Sequence, residues 1–417
     1  LAPEISNDIE FIDYYNYAQN TNWLDDITRV GEIDDIGFKL SGGGDKTAYY
    51  ASVNYQNFIG TVKNEANKRF TTRINLGYNI SRKLHLNTQI NYVNIYKDGN
   101  WSREGNVRSM AYIKAPNMAI YEHTPFGEKT KEFFTPIENY QGNGIEYFNT
   151  SAVVALSDND QQNNNFQTNF TLRYNASNWL TMNQIVSFQF QNSKRMEFLP
   201  YTAIGATWLD AENNSPLERN SNGTTVNSQT RLNFIPIRNS RHSLTGMLML
   251  DITQDKDEFI QTAAGNGPST FITDPAASPM RAGQNSGSSV INTIGLLANI
   301  HYKFLDRHIV QMNMRADASS RFGASSRWGA FPSVSYAWRF SGEPFLGSWN
   351  FLTDGKVRIS YGLSGNSDVK AYDRHALYAS TGKGAYMDIQ TVVPTQAQLQ
   401  RLQWETSSQL NLGVDIA

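Results

Sequence analysis

Few side chains in this sequence are spaced for catalysis or for metal binding. The six histidines include no pair at zinc spacing, no HExxH segment occurs, and no cysteine is present to complete a thiolate site. No Gly-x-Ser-x-Gly segment marks a serine nucleophile. The sequence therefore predicts a protein that is not an enzyme and that uses neither a metal nor a cofactor.

Two short segments superficially resemble ligand-binding loops. Residues 41–46, SGGGDK, lack the GxxxxGK[ST] spacing of a phosphate loop and lead into a strand, so they predict a hairpin turn. Asp158, Asn159 and Asp160 offer oxygen ligands for calcium, but the spacing and the glycine of an EF-hand are absent. A solvated loop is the better prediction there.

A third group of polar side chains occupies every second position of several predicted strands. Amide-rich linings suit hydroxyl-bearing or peptide solutes, because amides form hydrogen bonds without a strong charge preference. We expect this group to line a water-filled lumen, where its members contact a solute or a plug or simply hydrate the interior. Its members are Arg73, Asn75, Asn87, Gln89, Asn91, Gln167, Asn169, Arg173 and Asn183.

The elements that carry these side chains are long alternating strands. In residues 69–80 an apolar set that includes Phe70, Ile74 and Tyr78 alternates with arginine, threonine and asparagine. Thirteen residues reach roughly 43 Å and rise ~33 Å at a tilt of ~40°, about the thickness of a bilayer. Soluble strands usually contain only about 5–6 residues. The pattern predicts membrane-spanning strands, with a soluble sandwich or propeller as the alternative.

The connections between predicted strands alternate in length. The long connections are expected at residues 97–162, 192–227, 255–288 and 364–403, and between them lie turns of only a few residues. This order predicts an antiparallel up-and-down transmembrane β-barrel with short periplasmic turns and long extracellular loops. About thirteen strands are expected, beginning near Ile33.

An odd number of strands leaves the chain ends on opposite rims, which an even-stranded bacterial barrel does not allow. We therefore expect a fragment in which residues 1–32 form an extracellular loop segment and residues 33–417 form a partial outer-membrane β-barrel, without the plug domain and the C-terminal strands. Loose helical spacing is expected within the first thirty residues, and a short helix at 107–114 before Pro116. The loop aromatics Trp101, Tyr121 and Trp208 are expected to contact a substrate or a lid.

Charge excludes a nucleic-acid partner. Lysine and arginine total 36 and aspartate and glutamate total 38, which gives a net charge of −2 without a basic run. The predicted localisation is the outer membrane of a Gram-negative bacterium, with its lipids around the barrel.

Several motifs resemble those of a known family, the SusC-like class of TonB-dependent outer-membrane transporters (the RagA/SusC family). DASSRFG at 317–323 is similar to the family's DGSSRFG, and WGAFPSVS at 328–335 is similar to its WGxFPSxS. Pro332 lies inside the second motif and predicts a bulge in its strand. Further matches, in the expected order, are NTNW at 20–23, LSGG at 40–43, AWR at 337–339, EPFL at 343–346, SYG at 360–362, SGN at 364–366, LQWE at 402–405 and NLG at 411–413.

The resemblance implies a 22-stranded barrel with an N-terminal plug, covered on the outside by a SusD-like lipoprotein. It implies import of oligosaccharides or oligopeptides, driven by the TonB complex acting on the plug. Two other functions stay open from the sequence: a passive porin-like or structural barrel, and a soluble glycan-binding β-protein that uses its loop aromatics.

Overall fold

The computed structural model describes residues 8–101, 106–135, 148–205, 214–346, 353–386, 389–399 and 401–417. Strands dominate this part of the chain. Their bounds are β1 Glu32–Gly43, β2 Thr47–Ile59, β3 Ala66–Asn79, β4 Leu84–Asp98, β5 Tyr121–His123, β6 Lys129–Phe133, β7 Asp158–Asn175, β8 Leu180–Leu199, β9 Ser215–Arg238, β10 His242–Gly265, β11 Met280–Phe304, β12 His308–Ser319, β13 Trp328–Trp338, β14 Gly355–Asn366, β15 Leu377–Tyr386, β16 Ile389–Gln396 and β17 Glu405–Ile416.

Thirteen of these strands form one antiparallel sheet in which neighbours in sequence are neighbours in space. Its order is β1-β2-β3-β4-β7-β8-β9-β10-β11-β12-β13-β14-β17, and β5-β6 and β15-β16 are separate hairpins within two of the connections. The predicted all-β fold and the predicted number of about thirteen strands are confirmed.

Because every strand is antiparallel to its neighbours, the connections fall on two rims. Of the described residues, the short-turn rim carries 44–46, 80–83, 176–179, 239–241, 305–307, 339–346 and 353–354. The long-loop rim carries 60–65, 99–101, 106–135, 148–157, 200–205, 214, 266–279, 320–327, 367–386, 389–399 and 401–404. The glycine-rich segment at 41–46 is a hairpin turn as predicted, closed by a hydrogen bond from Gly44 N to Thr47 O of 2.8 Å.

Two of the predicted long connections are mostly strand. β8 to β11 contain 20 to 25 residues each, so the connections expected at 192–227 and 255–288 shrink to 200–214 and 266–279. The upper parts of these strands are polar on both faces; Asn192, for example, donates to Asn220 and Asn222 across the ladder. Alternation vanishes where both faces are wet, although the backbone ladder continues.

Two further expectations about regular structure need correction. Pro332 causes no bulge, because β13 pairs with β12 without a register shift there. The proline's missing N–H is tolerated since the ladder to β14 begins only at Ser333. A helix over Thr150–Leu156 was not expected, because Val153 and Val154 favour strands until tertiary packing outweighs that preference.

The apolar face of the sheet has no second layer in the described part of the chain. Ile74, for example, lies opposite Ala51 and Ile90 and remains 42% exposed. Gln184 interrupts this face, but it accepts a hydrogen bond from Thr230 Oγ1 at 2.5 Å and donates to Ser228 Oγ at 3.0 Å. A face this large and apolar needs a hydrocarbon environment, in agreement with the predicted transmembrane strands.

The one hydrophobic core cluster of the described residues lies on the long-loop rim instead. It joins the short helices α1 (Tyr14–Tyr17), α2 (Trp23–Ile27), α3 (Val107–Ile113) and α4 (Thr150–Leu156). Asparagine side chains cap three of them: Asn22, Asn106 and Asn149 accept from backbone N–H groups in the first turn. The helix expected at 107–114 is thus present. No helix in the described ranges has both the length and the hydrophobicity to cross a bilayer.

Lys114 gives this rim cluster a pH dependence. Burial lowers the pKa of Lys114 to about 8, so the fold prefers its neutral amine. The unfolded chain then binds more protons between pH about 8 and 10.5. Stability therefore rises with pH by about 3 kcal/mol across that window. Thermal unfolding followed by tryptophan fluorescence at pH 7 and pH 10 measures the rise. Lys114→Met should flatten it, and an unchanged rise in that variant would refute the assignment.

Candidate functional site

The polar residues singled out from the sequence form one continuous patch on the sheet. Arg73 lies opposite Asn91, which lies opposite Gln167, and the next row runs Asn75, Gln89, Asn169. The remaining three occupy the two rows closest to the short-turn rim: Asn87 in one, and Arg173 opposite Asn183 in the other. All nine side chains therefore share the face opposite the apolar rows.

This polar face is the concave one. An open groove of about 490 Å³ is lined by Asn75, Asn87, Arg173 and Asn183, together with His85. A second groove of about 630 Å³ lies higher on the same face, beside Asn165 and Gln191 among others. Grooves open where a sheet curves toward itself, so this face is the inner wall of the curved sheet.

Internal hydrogen bonds hold the lower part of this wall. His85 Nδ1 lies 2.7 Å from Asn79 Oδ1, and Arg173 Nε donates to Asn175 Oδ1 at 3.2 Å. Both contacts are near the short-turn rim. The wall thus presents amide and guanidinium groups on a rigid ladder of paired strands.

The sequence reasoning missed a row of carboxylates on β10. Asp251, Asp255 and Asp257 lie on the inner face, where Asn227 Nδ2 donates to Asp251 at 2.6 Å and Thr225 Oγ1 donates to Asp255 at 2.7 Å. Met247 and Met249 blurred the alternation of this strand, and residues from 255 onward were expected to be a loop. These carboxylates would have been found if β10 had been predicted to continue beyond residue 255.

The motifs near the end of the chain converge in an aromatic latch on the long-loop rim. Phe322 is fully buried and packs on Trp404 with ring centroids 4.9 Å apart, and Phe331 packs edge-on to Trp404 at 5.5 Å. A Cβ atom at Gly365 would lie 2.0 Å from the Phe331 ring, so a side chain at this position would have to displace the ring. The indole of Trp404 donates to Arg327 O at 3.0 Å. The latch joins the β12–β13 turn to the ends of β14 and β17 at the long-loop rim.

The DND segment is the start of β7 and not a loop. Asp158 and Asp160 point to the outer face above the apolar band, where the Tyr96 hydroxyl donates to Asp160 at 3.2 Å. Across the described ranges, no group of three or more His, Asp or Glu side chains is arranged to hold a metal ion.

Two of the loop aromatics singled out from the sequence, Trp101 and Tyr121, pack against neighbouring aromatic rings. Trp101 is only 3% exposed and packs with Phe148 in the rim cluster, so it is a packing residue without surface for a solute or lid. The Tyr121 ring stacks on Phe133 at 5.0 Å and lies beneath the Lys129 amine at 4.1 Å. Trp208 lies outside the described residues.

Relatives of this chain are TonB-dependent receptors. It is 27% identical to TonB-dependent receptor P3 of Formosa agariphila, over 96% of this chain and 40% of that protein. It is 23% identical to TonB-dependent receptor SusC of Bacteroides thetaiotaomicron, over 95% of this chain and 40% of that protein. The predicted SusC-like resemblance is confirmed. No family model matches the chain.

The SusC-like resemblance extends to the fold. The structure of the RagAB peptide transporter superposes with a TM-score of 0.74 at 18% identity, and covers 96% of this chain and 44% of that one. The predicted outer-membrane localisation is confirmed with these relatives. The matched proteins named here are receptors and transporters rather than enzymes. The chain spans about 40% of the length of the curated relatives it matches.

Proposed function

We propose that this chain is the barrel portion of an active importer that takes up oligosaccharides or oligopeptides through the outer membrane. The observation that carries the proposal is the chemical division of one sheet into an apolar outer face and a polar, grooved inner face. The similarity to SusC and to the RagAB peptide transporter supports the same function. Arg73, Asn75, Asn87 and the other patch residues would contact the solute or a plug.

The proposed division of the chain has the first 32 residues and the long loops outside the cell. The rim cluster supports this, because residues 8–31 pack with α3 and α4 on the long-loop rim. Both edge strands, β1 and β17, have only one partner in the main sheet, which supports an arc of a larger barrel. The proposed total of 22 strands is what the SusC-like resemblance implies. A plug domain would fill the concave face.

The proposed partners are a SusD-like lipoprotein over the long-loop rim and the TonB complex acting through the plug. Exposed apolar side chains on that rim, Tyr112 and Ile113 at the end of α3, support a protein contact there. When the full-length protein is purified from outer membranes, we expect a lipoprotein to co-purify with it. Recovery of the full-length protein as a soluble species without detergent would refute the membrane proposal.

Energy dependence separates active import from a passive pore. We expect cells that carry the full-length protein to accumulate labelled tripeptides or trisaccharides, and to stop when a protonophore collapses the inner-membrane proton gradient. Cells that lack the gene are the control. Uptake that depends on the gene but continues in the presence of the protonophore would favour the porin-like alternative.

A further inference from the structure

A groove on the inner face combines charges of both signs with aromatic surface. It has a volume of about 900 Å³ and lies between the β10–β11 wall and the segment 368–377 that leaves β14. We call it the upper groove and define it by Asp257, Phe259, Ser289, Arg321 and Tyr372.

Its wall side carries an exposed carboxylate, that of Asp257. Asp257 lies opposite Gly223 on β9 and Ser289 on β11. Asp251 and Asp255 receive hydrogen bonds from β9 side chains, whereas glycine offers Asp257 none, and no donor to this carboxylate is found among the described residues. A charged group of a solute would complete it.

Its opposite end carries a guanidinium with donors to spare. Arg321 precedes the buried Phe322 of the aromatic latch, and its own N–H donates to Ser319 Oγ at 3.3 Å. Nη1 donates to Ser367 O at 2.8 Å, while Nε is buried with no acceptor in the described part of the chain. A buried donor without an acceptor is unfavourable, and a carboxylate is the acceptor that a guanidinium fits best.

The backbone positions that carry these two side chains are separated by a short length of strand. Asp257 on β10 is paired with Ser289 on β11. Further along β11, Asn292 O accepts a hydrogen bond of 2.9 Å from the backbone N–H of Ser320, the residue before Arg321. Ser289 and Asn292 are three residues apart, which is about 10 Å along the strand. That is the order of length of three or four extended peptide units at about 3.3 Å each.

The groove lining includes two aromatic rings among polar and charged side chains, and the Arg219 guanidinium lies 4.5 Å from the centroid of one of them, Phe259. Phe259 lies against the wall at Gly287, where a Cβ atom would come within 2.6 Å of the ring, and Tyr372 lines the facing segment. That segment adds Asp368, Lys370 and Asp373, but the Asp373 carboxylate is engaged by the Lys370 N–H at 2.9 Å. A neutral sugar chain would offer the Arg321 guanidinium no carboxylate, and a polyuronate would be repelled by Asp257.

We propose that the upper groove binds a short oligopeptide by its two ends, with Asp257 receiving the terminal ammonium and Arg321 receiving the terminal carboxylate. Peptide side chains then pack on Phe259 and Tyr372. The inference rests on the proposed import function and specifies its substrate class. It makes this groove, and not the amide patch of β3 to β8, the site of selection.

Calorimetric titration of the full-length protein in detergent micelles tests the proposal with the tripeptide Ala-Phe-Ala. We expect C-terminal amidation or N-terminal acetylation to weaken binding at least tenfold, and maltotriose and trigalacturonate not to bind. Arg321→Gln should abolish the discrimination between acid and amide, and Arg321→Lys should retain part of it. Asp257→Asn should abolish the discrimination between free and acetylated amine. Arg238→Gln, an exposed arginine at the short-turn rim, is the matched control.

Mobility of the unheated barrel in detergent gels verifies that each variant is folded. Absence of tripeptide binding, equal binding of free and blocked peptides by the wild type, or preference for either trisaccharide would overturn the proposal. The protonophore experiment distinguishes failure of this proposal from failure of the proposed function. Energy-dependent uptake of a sugar would refute only the peptide assignment, whereas protonophore-insensitive uptake would refute active import.

Discussion

Replacing Phe322 with alanine should destabilise the aromatic latch by about 3–5 kcal/mol, the usual cost of removing a fully buried phenylalanine. Phe322 has no exposed surface and supports Trp404, which in turn contacts Phe331. Because the latch connects the β12–β13 turn to β14 and β17, we expect these elements to open locally. Hydrogen exchange of the full-length protein should accelerate by about two orders of magnitude or more in peptides covering 319–335 and 401–412.

A second variant probes the same latch from the opposite direction. Gly365→Ala places a methyl group against the Phe331 ring, and overpacking of this kind typically costs about 1–3 kcal/mol. Phe345→Ala is the control, because this phenylalanine is 67% exposed on the short-turn rim. Exchange rates in Phe322→Ala that match those of Phe345→Ala would show that the latch does not hold these strands together.

Replacing Ile74 with arginine should lower the free energy of unfolding in lipid by about 2–4 kcal/mol, whereas arginine at the adjacent Asn75 should change it by less than about 0.5 kcal/mol. Ile74 lies midway between Phe70 and Tyr78 on the apolar face, so its side chain would be near the bilayer midplane. Asn75 is at nearly the same depth and faces the inner wall. Comparing the two variants therefore separates the effect of the direction of the side chain from the effect of its depth in the membrane.

Urea unfolding of the full-length protein refolded into phospholipid vesicles measures both variants. In detergent micelles the penalty at Ile74 should shrink, because a micelle deforms around a charge more easily than a bilayer. Similar losses at the two positions would mean that the apolar face does not contact hydrocarbon.

Much of this wall was predictable because side-chain direction in a strand has a period of two. Alternation in residues 69–80 was enough to assign Ile74 and Asn75 to opposite faces, and the paired registers of β3, β4 and β7 confirm that assignment. The same rule failed for β9 to β11 above the apolar band. There both faces are polar, so no periodic signal separates strand from loop.

The upper groove was beyond the reach of sequence reasoning for a different reason. Asp257 and Arg321 are 64 positions apart and line one groove only because β11 lies between β10, which carries Asp257, and β12, which precedes Arg321. Trp101 shows the converse, since an aromatic residue in a long loop resembled a contact residue until tertiary packing buried it beside Phe148. Neither fact is encoded in local spacing.

By itself, the sequence determined the antiparallel order of the strands, the two faces of the sheet, the sorting of connections between rims and the SusC-like family resemblance. These follow from periodicity, turn residues and local motifs, which act over a few neighbouring positions. The tertiary structure alone decided how far the strands extend, which loop residues form the rim cluster, and which charged residues line the upper groove. Those outcomes depend on contacts between distant segments, whose free energy no local pattern records.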